Sequence, residues 1–275
     1  YGLVGSEMCI RDRFSGGRSS ACMVVKMAEE GLLDDKVIHF SDTGREHEEC
    51  YKFVERVEEF IGVPILRLKA GEGADPFREL IVKQKFLPNA VMRFCTVELK
   101  IIPMQRLMIE LGFKDYINYV GFRVDEQNRI MNKRGGSGFA VSKKTSGIRQ
   151  DVEVVEAQRN ASDYELYHMD YEFPLVDFDM TKRDVLKFWR KMPFDLESPL
   201  GGDSNCVFCF HKSFEHKVAM AQERPELLTP WLEDEALIKG SYNKTHSLES
   251  VLEFAKRQRS FNFDVGDSMS CGCTD

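Results

Sequence analysis

The sequence predicts an α/β protein, a parallel sheet with helices on both faces, followed by a helical C-terminal region that carries cysteines. Three observations carry this. From Phe14 to Phe122 short apolar runs alternate with amphipathic helical stretches at βαβ spacing. The run Phe14-Ser15-Gly16-Gly17-Arg18-Ser19-Ser20 reads as a loop that opens a helix. The turn Asp42-Thr43-Gly44 follows a short apolar run, at the carboxyl edge where parallel sheets place ligand loops.

Taken in order, Ser19 to Gly31 reads as a helix, with Ala21, Val24, Val25 and Ala28 on one face and Gly31 as its stop. Val37 to Phe40 reads as a short buried strand. Glu46 to Ile61 is helical, with Tyr51, Phe53, Val54, Val57 and Phe60 spaced toward a core, and Gly62 ends it. Pro64 to Leu68 supplies another strand. Pro76 to Lys85 and Thr96 to Leu111 read as helices, and Tyr116 to Phe122 as a strand. Gly135 to Gly138 marks a flexible loop. Between Arg129 and Gln150 stand six Lys or Arg and no acidic residue, a solvated basic loop or a lid over an anion. Asp151 to Ala157 and Tyr167 to Leu175 read as strands. Thr181 caps a helix to Met192, with Asp184 three residues on. Lys212 to Gln222, Pro225 to Lys239 and Leu248 to Arg257 read as helices, and Phe261 to Asp275 as an irregular tail.

The strand that should feed the Ser15 loop is missing from this pattern. A buried parallel strand is a near-continuous apolar run, yet Glu7 to Arg13 carries four charges. Val4 to Arg13 resembles a translated sequencing adapter. Residues 1–13 are therefore read as non-native and set aside from the fold, with the native strand expected upstream of Phe14. The domain reading is a nucleotide-binding unit over 14–200 and a helical unit over 201–275.

Composition excludes several classes. Hydrophobic residues at 43% and charged ones at 30% are ordinary for a soluble globular protein. No apolar run approaches the roughly 18 residues of a membrane span. A net charge of −7 disfavours broad binding to nucleic acid. Eight cysteines, clustered in a chain this long, suggest thiolate chemistry in a reducing cytoplasm rather than a secreted disulfide scaffold.

The Ser15 loop suits a phosphate. Gly16 and Gly17 permit positive φ and close approach of the backbone to an anion. The following amides point at that anion from a helix N-terminus. Ser15, Ser19 and Ser20 add hydroxyls, and Arg18 adds a fixed charge. Arg93, Lys100, Arg123 and Arg129 supply further cations for a multiply charged ligand. Gly121 allows close backbone approach at a strand end, and Glu126 would pair Arg123 or help place the ligand. Asp42, Thr43 and Gly44 would bind the nucleotide or terminate their strand.

These motifs occur in a telling order. The Ser15 loop is followed by Asp42-Thr-Gly-Arg-Glu46, by Arg93-Phe-Cys-Thr96 with Glu98, Leu99 and Lys100, and by Gly121-Phe-Arg-Val-Asp-Glu126 with Arg129. Pro174-Leu175, Asp184-Val185, Phe188-Trp189 and Asn205-Cys-Val-Phe-Cys-Phe210 complete the series. The set resembles the phosphoadenosine phosphosulfate (PAPS) reductase family, within the adenine nucleotide α-hydrolase-like group, and especially its bacterial and phage-borne members. That resemblance implies an enzyme that binds PAPS or ATP and moves sulfur. Two departures stand out. The ATP pyrophosphatases of the group carry a loop Asp where Ser19 stands here. The assimilatory reductases end in Glu-Cys-Gly near a His, whereas this tail reads Ser270-Cys-Gly-Cys-Thr-Asp275.

The cysteines add a second expectation. Cys206-x-x-Cys209 and Cys271-x-Cys273 are each spaced to chelate one metal, and four thiolates would close a zinc site or hold an iron–sulfur cluster. By resemblance Cys95 matches the first cluster cysteine of iron–sulfur adenylylsulfate reductases, whose second is Thr96 here. The bland alternatives are a CxxC redox pair or unligated thiols. Cys22 and Cys50 read as small core residues, and His39 as a core histidine. In a reductase, Cys271 or Cys273 would attack the sulfur, with a thiol protein as a candidate reductant. In a sulfurtransferase the nucleotide would activate an acceptor such as nucleic acid. A nucleotide-binding module without turnover is the alternative from another class.

Overall fold

The computed structural model describes residues 9–71, 73–142, 148–149, 163–197 and 206–257. Among them seven strands form one sheet: β1 (Cys9–Phe14), β2 (Lys36–Asp42), β3 (Ile65–Lys69), β4 (Asp115–Val120), β5 (Ser137–Ser142), β6 (Ile148–Arg149) and β7 (Tyr164–Glu172). Their order is β3-β2-β1-β4-β7-β5-β6. The first five in that order run parallel, while β5 is antiparallel to β7 and β6 to β5. The sheet is therefore parallel with an antiparallel edge.

The expected strand before the loop is present, and the exclusion of Cys9 to Arg13 from the fold is corrected, while residues 1–8 lie outside the described residues. Cys9 to Phe14 form β1, paired with β2 on one side and β4 on the other. The reason is geometric. β2 and β4 each need a partner, and ladder hydrogen bonds are made by backbone groups whatever the side chains. Phe14 is buried at the strand's end.

One face carries α1 (Arg18–Glu29), α2 (Glu48–Ile61) and α8 (Lys182–Trp189). Their apolar stripes meet in a cluster around Val24, Phe53, Val57 and Trp189. Gly62 ends α2 at φ 67°, a left-handed cap that suits glycine. Thr181 and Asp184 form the reciprocal cap of α8. The opposite face carries α5 (Ile102–Glu110), whose Met104 and Met108 pack on Tyr116, Tyr167 and Met169.

Between β3 and α5 lie α3 (Pro76–Gln84), α4 (Phe94–Thr96) and a π-turn, Val97–Ile101. Pro103 accounts for the π-turn. It has no N–H to give the Leu99 carbonyl, and the Ile102 amide reaches back to Val97 instead. A short α6 (Gln127–Lys133) and α7 (Pro174–Asp177) complete the sheet domain. The reading of Gly135 to Gly138 as a flexible loop is corrected at Ser137 and Gly138, which open β5 and pair with β7. Likewise Pro174 and Leu175 belong to a helix rather than a strand. The strand expected at Asp151 to Ala157 lies outside the described residues.

The C-terminal helices are α9 (Phe214–Glu223), α10 (Thr229–Ile238) and α11 (Leu248–Arg257). They join α3 and the Cys206–Cys209 segment in a second core around Phe77, Ile81, Phe208, Val218 and Trp231. Arg45 ties this core to the sheet. Its side chain is 4% exposed and meets Asp75 at 2.7 Å and the fully buried Asp234 at 2.9 Å. Its guanidinium also lies against the rings of Phe77 and Trp231, 5.4 and 5.3 Å from their centroids.

One outcome follows. Asp234→Ala should lose roughly 3–5 kcal/mol by leaving Arg45 buried with less compensation. An unchanged unfolding midpoint would contradict that role.

Candidate nucleotide site and the cysteine-lined cavity

The carboxyl ends of β1 and β4 lie side by side, and the chain turns outward from them in opposite directions along the sheet. Such a switch point leaves a crevice outside the strand ends. Two segments border it, the Ser15–Ser20 loop after β1 and Gly121–Glu126 after β4. Gly17 is the N-cap of α1, with no side-chain hydrogen bond to the cap. The first amides of a 12-residue helix therefore face this end of the sheet without a side-chain cap.

The loop is held from within. The Ser15 amide donates to Ser20 Oγ at 3.1 Å, and Ser20 Oγ donates to the Gly17 carbonyl at 3.0 Å. Gly16 has φ 75°, as the loop reading requires. A Cβ there would stand 2.6 Å from Cys50 Sγ and 2.9 Å from Phe40. Gly17 departs from that reading. Its φ is −104° with extended ψ, so its use is as a cap and not as a left-handed residue.

Gly121 does carry a close approach, to protein backbone. A Cβ at this position would meet Ser20 Cα at 2.8 Å and Ser20 N at 3.0 Å. Only glycine lets the end of β4 lie against the first turn of α1. Two residues on, Arg123 is buried and donates from Nη1 to Ser19 Oγ at 3.0 Å. Glu126 pairs with Arg123 at 3.1 Å, accepts the Arg123 amide at 3.0 Å and also holds Arg129. Arg129 lies over the Phe122 ring, 4.1 Å from its centroid. The expected Arg123–Glu126 pair is thus in place, and Arg129 joins it.

Arg18 is engaged within the protein. Its Nε and Nη2 fork onto the Asp195 carboxylate at 2.7 and 3.0 Å, and Nη2 also donates to the Leu196 carbonyl. Trp189 Nε1 donates to the Arg18 carbonyl at 2.9 Å. The residue anchors the chain after α8 to the first turn of α1, and its charge is matched there.

At the end of β2, Asp42 Oδ1 accepts the Gly44 amide at 2.8 Å and the Tyr51 hydroxyl at 2.7 Å, which closes the turn. Gly44 has φ 76° and packs against Pro76. Thr43 donates its amide and hydroxyl to Glu46, at 3.0 and 2.7 Å. Burial pushes the Glu46 carboxyl up from its ordinary value, and the nearby Lys100 ammonium and the Thr43 hydrogen bonds oppose that. Glu46 and Tyr51 are part of this turn, although Tyr51 reads from sequence as a core residue. The charged pair Arg45-Glu46 directly after a strand-end glycine was the available signal.

Thr43 also opens onto a small cavity of about 20 Å³, lined by Cys95, Thr96, Lys100, Cys206 and Cys209 among others. That is about the room of one water. With its proton on Glu46, the Thr43 hydroxyl is left to accept from Cys206 Sγ, 3.3 Å away. The structure therefore brings together three of the five candidate metal ligands. Cys271 and Cys273, the expected nucleophiles, lie outside the described residues. Among the described residues no three His, Cys, Asp or Glu are grouped to hold a metal ion. Arg93 immediately precedes α4, two residues before Cys95. Cys22 and Cys50 are fully buried, and burial pushes the Cys22 thiol up to about 12 and the Cys50 thiol up as well. They are packing residues, as their helical positions suggest.

The chain belongs to the phosphoadenosine phosphosulfate reductase domain family, whose model matches residues 12–191. It is 28% identical to the uncharacterized nin region protein ORF290 of Escherichia phage lambda, over 90% of this chain and 80% of that protein. It is 36% identical to the uncharacterized protein MJ0066 of Methanocaldococcus jannaschii over 136 residues, which are 49% of this chain and 27% of that one. Among solved structures it is similar to the phosphate complex of the PAPS reductase from Candida auris. That likeness has a TM-score of 0.40 and 14% identity, over 69% of this chain and 76% of that chain. The family is one of enzymes that bind an adenine nucleotide. Among the described residues no helix is long and apolar enough to cross a membrane.

The Gly121 contact gives a direct test of the site's frame. Gly121→Ala should push β4 and α1 apart and cost roughly 1–3 kcal/mol, as overpacking does. Thermal unfolding measures it, and a fully neutral substitution would show that the two backbones can separate freely.

Proposed function

We propose that this chain binds an adenine nucleotide with a phosphate or phosphosulfate end at the crevice between β1 and β4, and performs sulfur chemistry on it. The observation that carries the reading is the first turn of α1. Its amides have no side-chain cap at Gly17, and Arg123 is fixed beside them through Ser19. Helix amides and a preset guanidinium are what an oligoanion needs. Ser15 and Ser20 line the same loop, and Gly121 sets its width.

The reaction class follows from the family, as reduction of an activated sulfate or transfer of sulfur to an acceptor. Ser19 stands where an ATP-cleaving loop would carry Asp, and its hydroxyl is engaged by Arg123. This favours a sulfonucleotide over ATP as the ligand. In the reductase version a thiolate attacks the sulfur and displaces the nucleotide phosphate, and a thiol protein releases sulfite. Cys271 and Cys273 are the thiols proposed for that attack. No step is routed through a zinc ion or an iron–sulfur cluster.

Calorimetry with PAPS, adenosine 3′,5′-bisphosphate and ATP tests the reading. Arg123→Ala should weaken binding by roughly 1.5–3 kcal/mol, the worth of one charge-assisted contact. Arg123→Lys, which keeps the charge, serves as the control for folding. Wild-type affinity in the alanine variant, or no binding of any of the three nucleotides to the folded wild-type chain, would sink it.

A further inference from the structure

The guanidinium of Arg123 is held at two of its three nitrogens. Nη1 donates to Ser19 Oγ at 3.0 Å and stands 3.1 Å from the Glu126 carboxylate. Nε donates to Asp125 Oδ1 at 3.1 Å. Nη2 takes no hydrogen-bond partner among the described residues, although the side chain is only 8% exposed. It is not sealed from solvent either. The fork therefore keeps one N–H edge open, and the groups on the other two nitrogens set the direction of that edge.

Asp125 differs from the other two holders. Ser19 belongs to α1, and Glu126 grips the amide and the side chain of Arg123 from within one loop. Asp125 Oδ1 accepts a second donor from elsewhere, the amide of Lys182 at 3.2 Å. Lys182 is the first residue of α8, and a helix start favours a carboxylate. Beside this contact the Val124 amide donates to the Met180 carbonyl at 3.1 Å. α8 is itself tied to α1, since Trp189 Nε1 donates to the Arg18 carbonyl at 2.9 Å. One carboxylate oxygen thus links the guanidinium to a second fixed helix. The Asp125 side chain is 42% exposed, so removing it opens no cavity in the core.

We propose that Asp125 is a positioning residue for the anion site: it holds Arg123 by Nε, anchored on the first turn of α8, so that Nη2 is presented to a phosphate or phosphosulfate oxygen. The inference rests on the nucleotide reading above and deepens it. The sign of the effect separates positioning from plain electrostatics. Asp125 is a carboxylate beside a site for an anion, and as a bare charge it repels the ligand. On that account its removal tightens binding. As a positioning group its removal weakens binding, because a loosened Arg123 must lose rotamer freedom when the ligand arrives. The two effects oppose each other, and substitutions split them. Asparagine keeps an oxygen for both donors and discards the charge, whereas alanine discards both.

The test is calorimetry of the full-length chain with adenosine 3′,5′-bisphosphate at fixed ionic strength. Asp125→Ala should raise Kd about tenfold, a coupling of the size seen between hydrogen-bonded neighbours. Asp125→Asn should recover that loss. In the Arg123→Ala background Asp125→Ala should cost nothing further, an outcome that a merely structural role does not produce. Urea unfolding without ligand reports the integrity of each variant separately. Asp125→Ser, too short to reach Nε, takes the place of the alanine variant should that one fail to fold. Wild-type or tighter binding by Asp125→Ala, with Arg123→Ala weakened, overturns this inference and leaves the nucleotide reading standing. Additive losses in the double variant, or an asparagine variant as weak as the alanine one, do the same. Failure of the wild-type chain to bind the bisphosphate overturns both.

Discussion

Arg45 is the side chain on which the relation between the two cores depends. It sits at the end of β2, and its partners lie 30 and 189 residues away in the chain, in the cap of α3 and in the middle of α10. Two aromatic rings lie against its planar group, and Tyr242 joins the cluster by donating to Asp234 at 3.1 Å. Arginine suits such a place because its fork meets carboxylates while its faces stack on rings. The cost of burying the charge is offset only if every partner is present. The contact is therefore cooperative. The C-terminal helices dock where these partners coincide, and the Val207 amide on the Arg45 carbonyl carries the cysteine turn with them.

This docking brings the thiol cavity close to the anion loop through a short series of contacts. Cys206 touches Thr43, Thr43 is bonded to Glu46, and Lys100 acts on both Glu46 and Cys50. Cys50 in turn donates to the Gly16 carbonyl at 3.6 Å. Buried polar groups in such a series are bound to one another's positions, since an unsatisfied member is expensive. A change of charge at the cavity would be felt at Glu46 before it reached the loop.

Much of the sheet domain was legible in the sequence. The early βαβ units announce themselves because apolar periodicity, glycine stops and strand-end turns all agree, as at Val54, Val57 and Gly62. β1 was not legible, since its charges argue against a buried strand while its backbone pairing does not depend on them. β5 begins among glycines and basic residues and owes its form to pairing with β7, a case of tertiary context overriding local preference. At the site, the loop and the Arg123–Glu126 pair could be anticipated from their spacing. The commitment of Arg18 to Asp195 could not, because that partner lies 177 residues away.

The way charge is distributed around the loop limits how it can hold an anion. Arg18 is matched by Asp195, while Arg123 and Arg129 share Glu126. Side-chain cations here are largely neutralised inside the protein, so they act more as fixed donors than as a field of net charge. Among the described residues the first turn of α1 has no side-chain cap at Gly17, and its amides point along the helix axis. Recognition by backbone donors rewards a ligand that fits the curve of the loop, and it depends on the backbone being held. Gly16 against Cys50 and Phe40, and Gly121 against Ser20, do that holding. The glycines around this loop therefore serve the packing of protein on protein first. Any selectivity for a phosphate-bearing ligand is a consequence of how closely the end of β4 and the start of α1 approach each other.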